Sequence, residues 1–333
     1  MKKLLFFMAL PFLALGCKED KKVEAEYVSP APEFCEDSAY QYVADQCAFG
    51  PRVMNSEAHD SCGDYIVRKF ESFGATVYNQ YADAKLYDGT PVQMRNIVAS
   101  FNPQAQARIL ISGHWDSRPW ADQDANEAHH RTPIDGANDG GSSVGVMLEL
   151  ARQLQKDQIA RGDSSFFALN PEWGVDFVCW DAEDCGTPTF ADDGENHEST
   201  WCLGSQYWSG TRHVEGYTAR YGINLDMVGN ANTVFYRERY SMMYASSIMD
   251  RVWSAAHRIG YGDYFSYDDG GAMIDDHVQV IRGGISCIDI IGCDSQEGGF
   301  PKTWHTKNDD LNHIDNNTLK AVGQTMLEVI WTN

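Results

Sequence analysis

The hydrophobic pattern divides the chain into alternating strand-like and helix-like segments. Five short apolar runs predict buried strands: residues 96–101, 108–112, 175–180, 221–225 and 285–291. Segments whose apolar positions recur every three to four residues predict helices: residues 38–48, 62–73, 143–155, 206–208, 244–259, 276–282 and 318–331. Strands that alternate with helices indicate an α/β fold. We therefore predict a single domain with a mixed, mostly parallel, twisted β-sheet and helices on both faces.

The predicted strands end in polar side chains. The run at 175–180 breaks off into Asp181, Glu183 and Asp184, and the run at 108–112 leads into His114. Open α/β sheets bind their ligands at the carboxyl ends of the strands. Of two adjacent carboxylates, one can bind a cation while its neighbour transfers a proton. The same acidic segment also fits a solvated turn after a strand.

Acidic and imidazole side chains recur at these strand ends and on the loops that follow: His114, Asp116, Asp139, Glu183, Asp184, Asp226, Asp275 and His305. Oxygen and imidazole ligands without thiolates suit a catalytic zinc site, in which three protein groups leave one position open. Taken singly, Asp139 or Asp275 is explained equally well by helix capping or a turn. His305 alone is explained equally well as an ordinary surface histidine. Their shared placement at successive strand ends favours a metal site.

Six short motifs follow one another along the chain: GHWDS at 113–117, GAND at 136–139, WDAED at 180–184, NLDMVG at 224–229, DDH at 275–277 and WHT at 304–306. Over residues 35–333 this order resembles the zinc-aminopeptidase-like α/β fold and, within it, the glutaminyl-peptide cyclotransferases. The resemblance implies an acyltransferase with one Zn²⁺ per chain. Its substrates would be peptides or proteins whose N-terminal glutamine is cyclised to pyroglutamate with release of ammonia.

The resemblance also assigns roles to single residues. The zinc ligands would be Asp139, Asp184 and His305. The catalytic carboxylates would be Glu183 as general base and acid, with Asp226 and Asp275 beside it. The aromatic walls of the substrate pocket would be Trp304, Phe300 and Trp201.

Three other functions compete with this interpretation. The first is a zinc aminopeptidase of the same fold, because His114 and Asp226 stand where that relative has ligands for a second metal; Trp304 and the DDH motif favour the cyclase. The second is a serine hydrolase, because residues 141–145 fit G-x-S-x-G, although a polar loop rather than a strand precedes them. The third is a surface adhesin or receptor module, which has no use for a proton-transferring Glu183.

The charge balance excludes some partners. The chain has 26 Lys and Arg against 48 Asp and Glu, a formal charge of −22. Nucleic acids and anionic membrane surfaces would repel such a protein, whereas a substrate with an amine is compatible with it. Eight cysteines besides Cys17 permit disulfides, but Cys179 and Cys287 lie in apolar strand patterns and are predicted to be buried thiols. Neither a coiled coil nor a repeat is present, and we expect a monomer.

The N-terminus has the pattern of an export signal. Lys2 and Lys3 precede an apolar run at 4–15, which is too short to span a bilayer and is followed by Gly16 and Cys17. This resembles a bacterial lipoprotein signal. We predict a signal peptide at 1–16, a lipid anchor at Cys17 as the only membrane contact, a tether at 17–33 and the cyclotransferase domain at 34–333. The protein would be an outer-membrane or periplasmic lipoprotein; an ordinary cleaved signal peptide is the alternative.

Overall fold

A computed structural model describes residues 27–162, 172–296 and 298–333, so the predicted signal peptide and Cys17 lie outside the described residues. The described strands are β1 (Thr76–Lys85), β2 (Pro91–Phe101), β3 (Ala107–His114), β4 (Trp173–Trp180), β5 (Tyr221–Asp226), β6 (Thr233–Arg237), β7 (Phe265–Asp269) and β8 (Cys287–Asp294). The described α-helices are α1 (Glu36–Cys47), α2 (Glu57–Ser72), α3 (Gly141–Arg161), α4 (Leu203–Gly210), α5 (Arg239–Arg258), α6 (Asp276–Arg282) and α7 (Asn316–Trp331).

All eight described strands form one mixed sheet in the order β1-β2-β4-β3-β5-β8-β6-β7. The central strands β4, β3, β5 and β8 are parallel to one another. At one edge β1 pairs antiparallel with β2, which is itself antiparallel to β4. At the other edge β6 is antiparallel to β8 and parallel to β7. The predicted α/β class and the mixed, mostly parallel sheet are therefore confirmed.

The helices cover both faces of the sheet and contribute to the two largest of the three hydrophobic clusters among the described residues. Successive residues of β4 show the division: Phe177 and Cys179 pack in the larger core, whereas Val178 and Trp180 pack in the smaller one. The larger core also includes side chains of α1, α2, α3, α5 and α7, and the smaller one includes side chains of α4 and α6. Because β4 is buried on both faces, its sequence is mostly apolar rather than alternating, and its one acidic residue, Asp176, is paired with Arg108 at 2.6 Å.

The eight cysteines within the described residues are free thiols. Cys179 and Cys287 are fully buried, as predicted. Burial raises the pKa of Cys179 because the apolar surroundings disfavour the thiolate. The described part of the fold is therefore held together without disulfide bonds.

The first described residues lie against the domain. The hydroxyl of Tyr27 donates to Glu328 of α7, and Ser29 Oγ donates to the same carboxylate at 2.5 Å. Phe34 packs directly on Gly323 of α7, where an added Cβ would lie 2.2 Å from the Phe34 ring. Residues 27–33, which the sequence assigned to a tether, are thus in part fixed to the surface. Among the described helices, none is both long and apolar enough to cross a membrane.

Candidate active site

A cavity of about 670 Å³ opens where the carboxyl ends of the central strands meet. β4 and β5 bring their acidic residues to this edge, and the loops before α3, before α6 and after β8 complete the wall. All nine predicted site residues line this one cavity: Asp139, Glu183, Asp184, Trp201, Asp226, Asp275, Phe300, Trp304 and His305. Residues that are up to 166 positions apart in the sequence are therefore neighbours in space.

Asp139, Asp184 and His305 converge at the bottom of the cavity. His305 Nε2 lies 3.0 Å from Asp184 Oδ1 and 3.5 Å from Asp139 Oδ2, and one potential ligand atom of each residue lies within 4.8 Å of the others. The Oδ2 atoms of both aspartates are buried without a hydrogen-bond partner. Buried carboxylate oxygens without partners are costly unless a cation or water binds them. One imidazole and two carboxylates fit a catalytic zinc ion.

Backbone hydrogen bonds to two further aspartates fix the ligand-bearing turns. Asp309 accepts from the backbone N–H groups of Asn138 and Asp139 at 2.7 and 3.1 Å. Asp116 accepts from the N–H groups of Glu183 and Asp184, both at 3.1 Å. Each carboxylate therefore holds the main chain of a predicted metal ligand. Sequence reasoning gave no role to Asp309, and nothing in the local sequence distinguishes it from Asp310.

Arg118 supplies a buried positive charge beside the predicted metal site. Its Nε and Nη2 donate to the two carboxylate oxygens of Asp122, both at 2.8 Å, and Nη1 donates to the carbonyl of Asp184 at 3.0 Å. Asp122 Oδ1 also lies 3.7 Å from Nδ1 of His305. The guanidinium lies 4.5 Å from the centre of the Trp201 ring. Sequence reasoning missed this residue, because its contacts with Asp184 and Trp201 join distant parts of the chain.

Glu183 is half-buried at the cavity floor. Burial raises its pKa well above the usual range, and the negative charges of Asp275 and Asp226 act in the same direction, while His114 opposes them. The thiol of Cys202 donates to Glu183 Oε1 at 3.2 Å, and a ligand atom of Asp275 lies within 4.8 Å of both. Such surroundings suit a group that accepts and returns protons.

Aromatic rings form one side of the cavity. The Trp304 ring stacks on His305 with a centroid distance of 3.8 Å, and Phe300 lies 4.7 Å from Trp304. The Trp201 ring is parallel to His305 at 6.0 Å. Trp201 reaches this position because Gly186 leaves space: a Cβ on that glycine would lie 1.9 Å from the indole.

His114 belongs to a second group of potential ligands. Its Nε2 lies 2.9 Å from Asp139 Oδ1 and 3.3 Å from Asp226 Oδ1. The three residues offer ligand atoms within 4.8 Å of one another. The side chains that a second metal would need are therefore also together.

The G-x-S-x-G segment at 141–145 is not a nucleophile elbow. It forms the buried first turn of α3 and follows a loop rather than a strand. The sharp strand-to-helix turn that exposes the serine of α/β-hydrolases is thus missing from this segment.

Several solved structures resemble the whole described domain. A glutaminyl cyclase of Bacteroides thetaiotaomicron bound to N-acetylhistamine is 51% identical, with a TM-score of 0.85 over 91% of this chain and 99% of that chain. A structure described as a leucine aminopeptidase precursor from the same species is also 51% identical, with a TM-score of 0.85 over 92% of this chain and 100% of that chain.

Curated relatives include the glutaminyl-peptide cyclotransferase of Bos taurus, which is 23% identical over 246 residues and 69% of this chain. The chain spans 64% of the length of that relative and 50% of the length of a curated aminopeptidase that it also matches. The model of the family described as "Peptidase family M28" matches residues 96–330. Because this match covers more than half of the sequence, including both predicted metal-binding aspartates and His305, the chain belongs to peptidase family M28.

Proposed function

We propose that this protein is a zinc-dependent glutaminyl-peptide cyclotransferase, which converts the N-terminal glutamine of peptides and proteins to pyroglutamate with release of ammonia. One observation carries the proposal: the three predicted ligands, the proton-transferring Glu183 and three aromatic rings line a single cavity. The 51% identity to a structure described as a glutaminyl cyclase supports it.

Asp139, Asp184 and His305 would hold one zinc ion per chain. When bound, zinc polarises the γ-carbonyl of the substrate glutamine and stabilises the negative charge that develops on its oxygen. The unpartnered Oδ2 atoms of Asp139 and Asp184 support this assignment. Asp309 and Asp116 would hold the ligand-bearing backbone in place.

Glu183 would move the protons of the reaction. The substrate already contains the nucleophile, since its α-amine attacks its own γ-carbonyl carbon. The new C–N bond closes a five-membered ring and the bond to the side-chain amide nitrogen breaks. The α-ammonium begins with three protons and the lactam nitrogen keeps one, so Glu183 passes two protons to the departing nitrogen, which leaves as ammonium. General acid–base catalysis of this kind contributes typically about 10²- to 10⁴-fold.

The aromatic walls would hold the glutamine side chain folded back on its own amine. The side of the cavity next to His305 is formed by Trp201, Phe300 and Trp304. Holding the two reacting groups in contact removes most of the entropy cost of ring closure. Apolar walls also exclude water, which otherwise competes with the amine as nucleophile.

A second candidate function is zinc-dependent aminopeptidase activity. The observation that favours it is the second group of ligands, His114, Asp139 and Asp226. The test measures ammonia release from Gln-initiated peptides beside amine release from Leu-initiated substrates, with zinc content determined on the same sample. Ammonia release with one zinc per chain supports the cyclotransferase, whereas hydrolysis of the Leu substrate with two zinc ions supports the aminopeptidase.

We further propose that the protein is exported and anchored through a lipid at Cys17 as a monomer. The two lysines, the apolar run at 4–15 and the Gly-Cys pair support this location. Incorporation of labelled palmitate that is lost in Cys17→Ser tests the anchor. Export without label in the unaltered protein would indicate the ordinary signal peptide instead.

A further inference from the structure

The mouth of the active-site cavity has two chemically different walls. One is the rim segment, residues 192–198, which contributes Asp192, Glu195 and Glu198. The other is apolar and includes Ile274 and Phe300, whose side chains are 42% and 37% exposed. A substrate leaving the cavity therefore passes between carboxylates and exposed apolar surface.

The negative charge of the rim segment is only partly compensated. Glu198 is paired with Arg282 at 2.6 Å, and Asp193, which does not line the cavity, is paired with His197 at 2.8 Å. Neither Asp192 nor Glu195 forms a salt bridge with any residue that the structure describes. Two carboxylates at the mouth thus remain without a Lys or Arg partner among the described residues, and His197, which pairs with Asp193, lies within 4.8 Å of Asp192.

The cavity floor fixes which part of a substrate reaches this mouth. The unpartnered, buried oxygens of Asp139 and Asp184 and the carboxylate of Glu183 place the reacting N-terminal residue at the bottom. Arg118 is the cationic side chain on the cavity lining, and Asp122 already binds it there. The residue that follows the N-terminal one must therefore lie near the mouth, where no described lysine or arginine is paired with Asp192 or Glu195.

We infer that the mouth is a subsite for a lysine or arginine directly after the N-terminal glutamine. The inference rests on the proposed function. The aliphatic stem of such a side chain would lie against Ile274 and Phe300, and its charged head would approach Asp192 and Glu195. Complementary charge at a partly exposed site contributes mainly selectivity and association rate.

The test compares three peptides, Gln-Lys-Ala-amide, Gln-Met-Ala-amide and Gln-Glu-Ala-amide, by kcat/KM for ammonia release at low ionic strength. Lysine and methionine have similar stems and differ in charge. We expect a preference of about tenfold for the Lys peptide over the Met peptide, and a larger one over the Glu peptide. In Asp192→Asn/Glu195→Gln the Lys-to-Met ratio should fall to about twofold or less. The matched control is Glu71→Gln/Asp263→Asn, which removes the same charge from exposed positions outside the cavity.

Five outcomes are distinct. A preference that falls in the rim variant and persists in the control supports the subsite. Equal rates on the three peptides, or a preference unchanged in the rim variant, would overturn it. A preference lost equally in both double variants would also overturn it, because overall charge would then be the cause. If no Gln peptide releases ammonia, the proposed function itself fails, and the inference fails with it.

Discussion

Replacing Asp309 should weaken metal binding without touching a ligand. Its carboxylate is 1% exposed and accepts the N–H groups of Asn138 and Asp139 at 2.7 and 3.1 Å. In Asp309→Asn one of the two acceptor oxygens becomes an N–H donor that faces a backbone N–H. Leaving a buried donor unpaired costs about 1–3 kcal/mol, so we expect the free energy of unfolding to fall by that amount. The Asp139 turn would relax, and zinc affinity should fall by about 10- to 100-fold.

The measurement is competition with a zinc chelator of known affinity, on protein whose folding is first checked by circular dichroism. Asp310→Asn is the matched control, since the same change is made one residue away. Asp310 accepts instead from the backbone N–H of Asn312 and pairs with His313. Zinc affinity in Asp309→Asn equal to that of the unaltered protein would refute the role given to Asp309.

Two further predictions concern the aromatic wall and the pH dependence of stability. Gly186→Ala places a Cβ where it would lie 1.9 Å from Trp201, so the indole must move. We expect KM for a Gln peptide to rise and the free energy of unfolding to fall by about 1–3 kcal/mol. An unchanged KM would argue against the role of Trp201 in the aromatic wall. Burial lowers the pKa of His213 from 6.5 to about 4, and its Nδ1 accepts from Trp208 Nε1 at 3.0 Å. The unfolded chain therefore binds a proton at higher pH than the folded one. The contribution of His213 to the free energy of unfolding is complete above pH 6.5 and is lost as the pH falls to about 4, by up to about 3 kcal/mol. Urea unfolding at pH 7 and 4.5 should show a smaller difference in the free energy of unfolding for His213→Gln than for the unaltered protein. An equal difference in the two proteins would contradict the assignment.

The site could be predicted from the sequence because of how parallel strands are arranged. The carboxyl ends of parallel strands meet at one edge of a sheet, so polar residues after separate apolar runs converge even when they are far apart in the chain. Glu183 follows β4, Asp226 ends β5 and Asp139 lies two residues before the start of α3. Their placement at successive strand ends and on the loops that follow favoured a metal site, and the resemblance in motif order assigned the role of each residue.

The contacts that hold the ligands could not be predicted in the same way. Asp309 reaches Asp139 across 170 positions, through a loop whose path depends on the finished fold. Arg118 likewise meets Asp184 only through the folded loop after β3. No periodic pattern marks such residues, because their partners are backbone groups rather than neighbours on one element.

The edge strands were missed for a different reason. β1 alternates between exposed and half-buried residues, and none of its side chains is fully buried. β7 has one buried residue, Phe265, followed by the half-buried Ser266 and three exposed positions. A strand without a buried face gives no hydrophobic period, although its backbone completes the sheet.

The central claim is that Asp139, Asp184 and His305 bind one zinc ion beside a proton-transferring Glu183. The most direct test determines zinc content and ammonia release from a Gln peptide on the same samples of the unaltered protein and Glu183→Gln. We expect one zinc per chain in both proteins and a loss of at least about 100-fold in turnover in the variant. Unchanged turnover in Glu183→Gln, or full activity of the unaltered protein after a chelator has removed its metal, would contradict the claim.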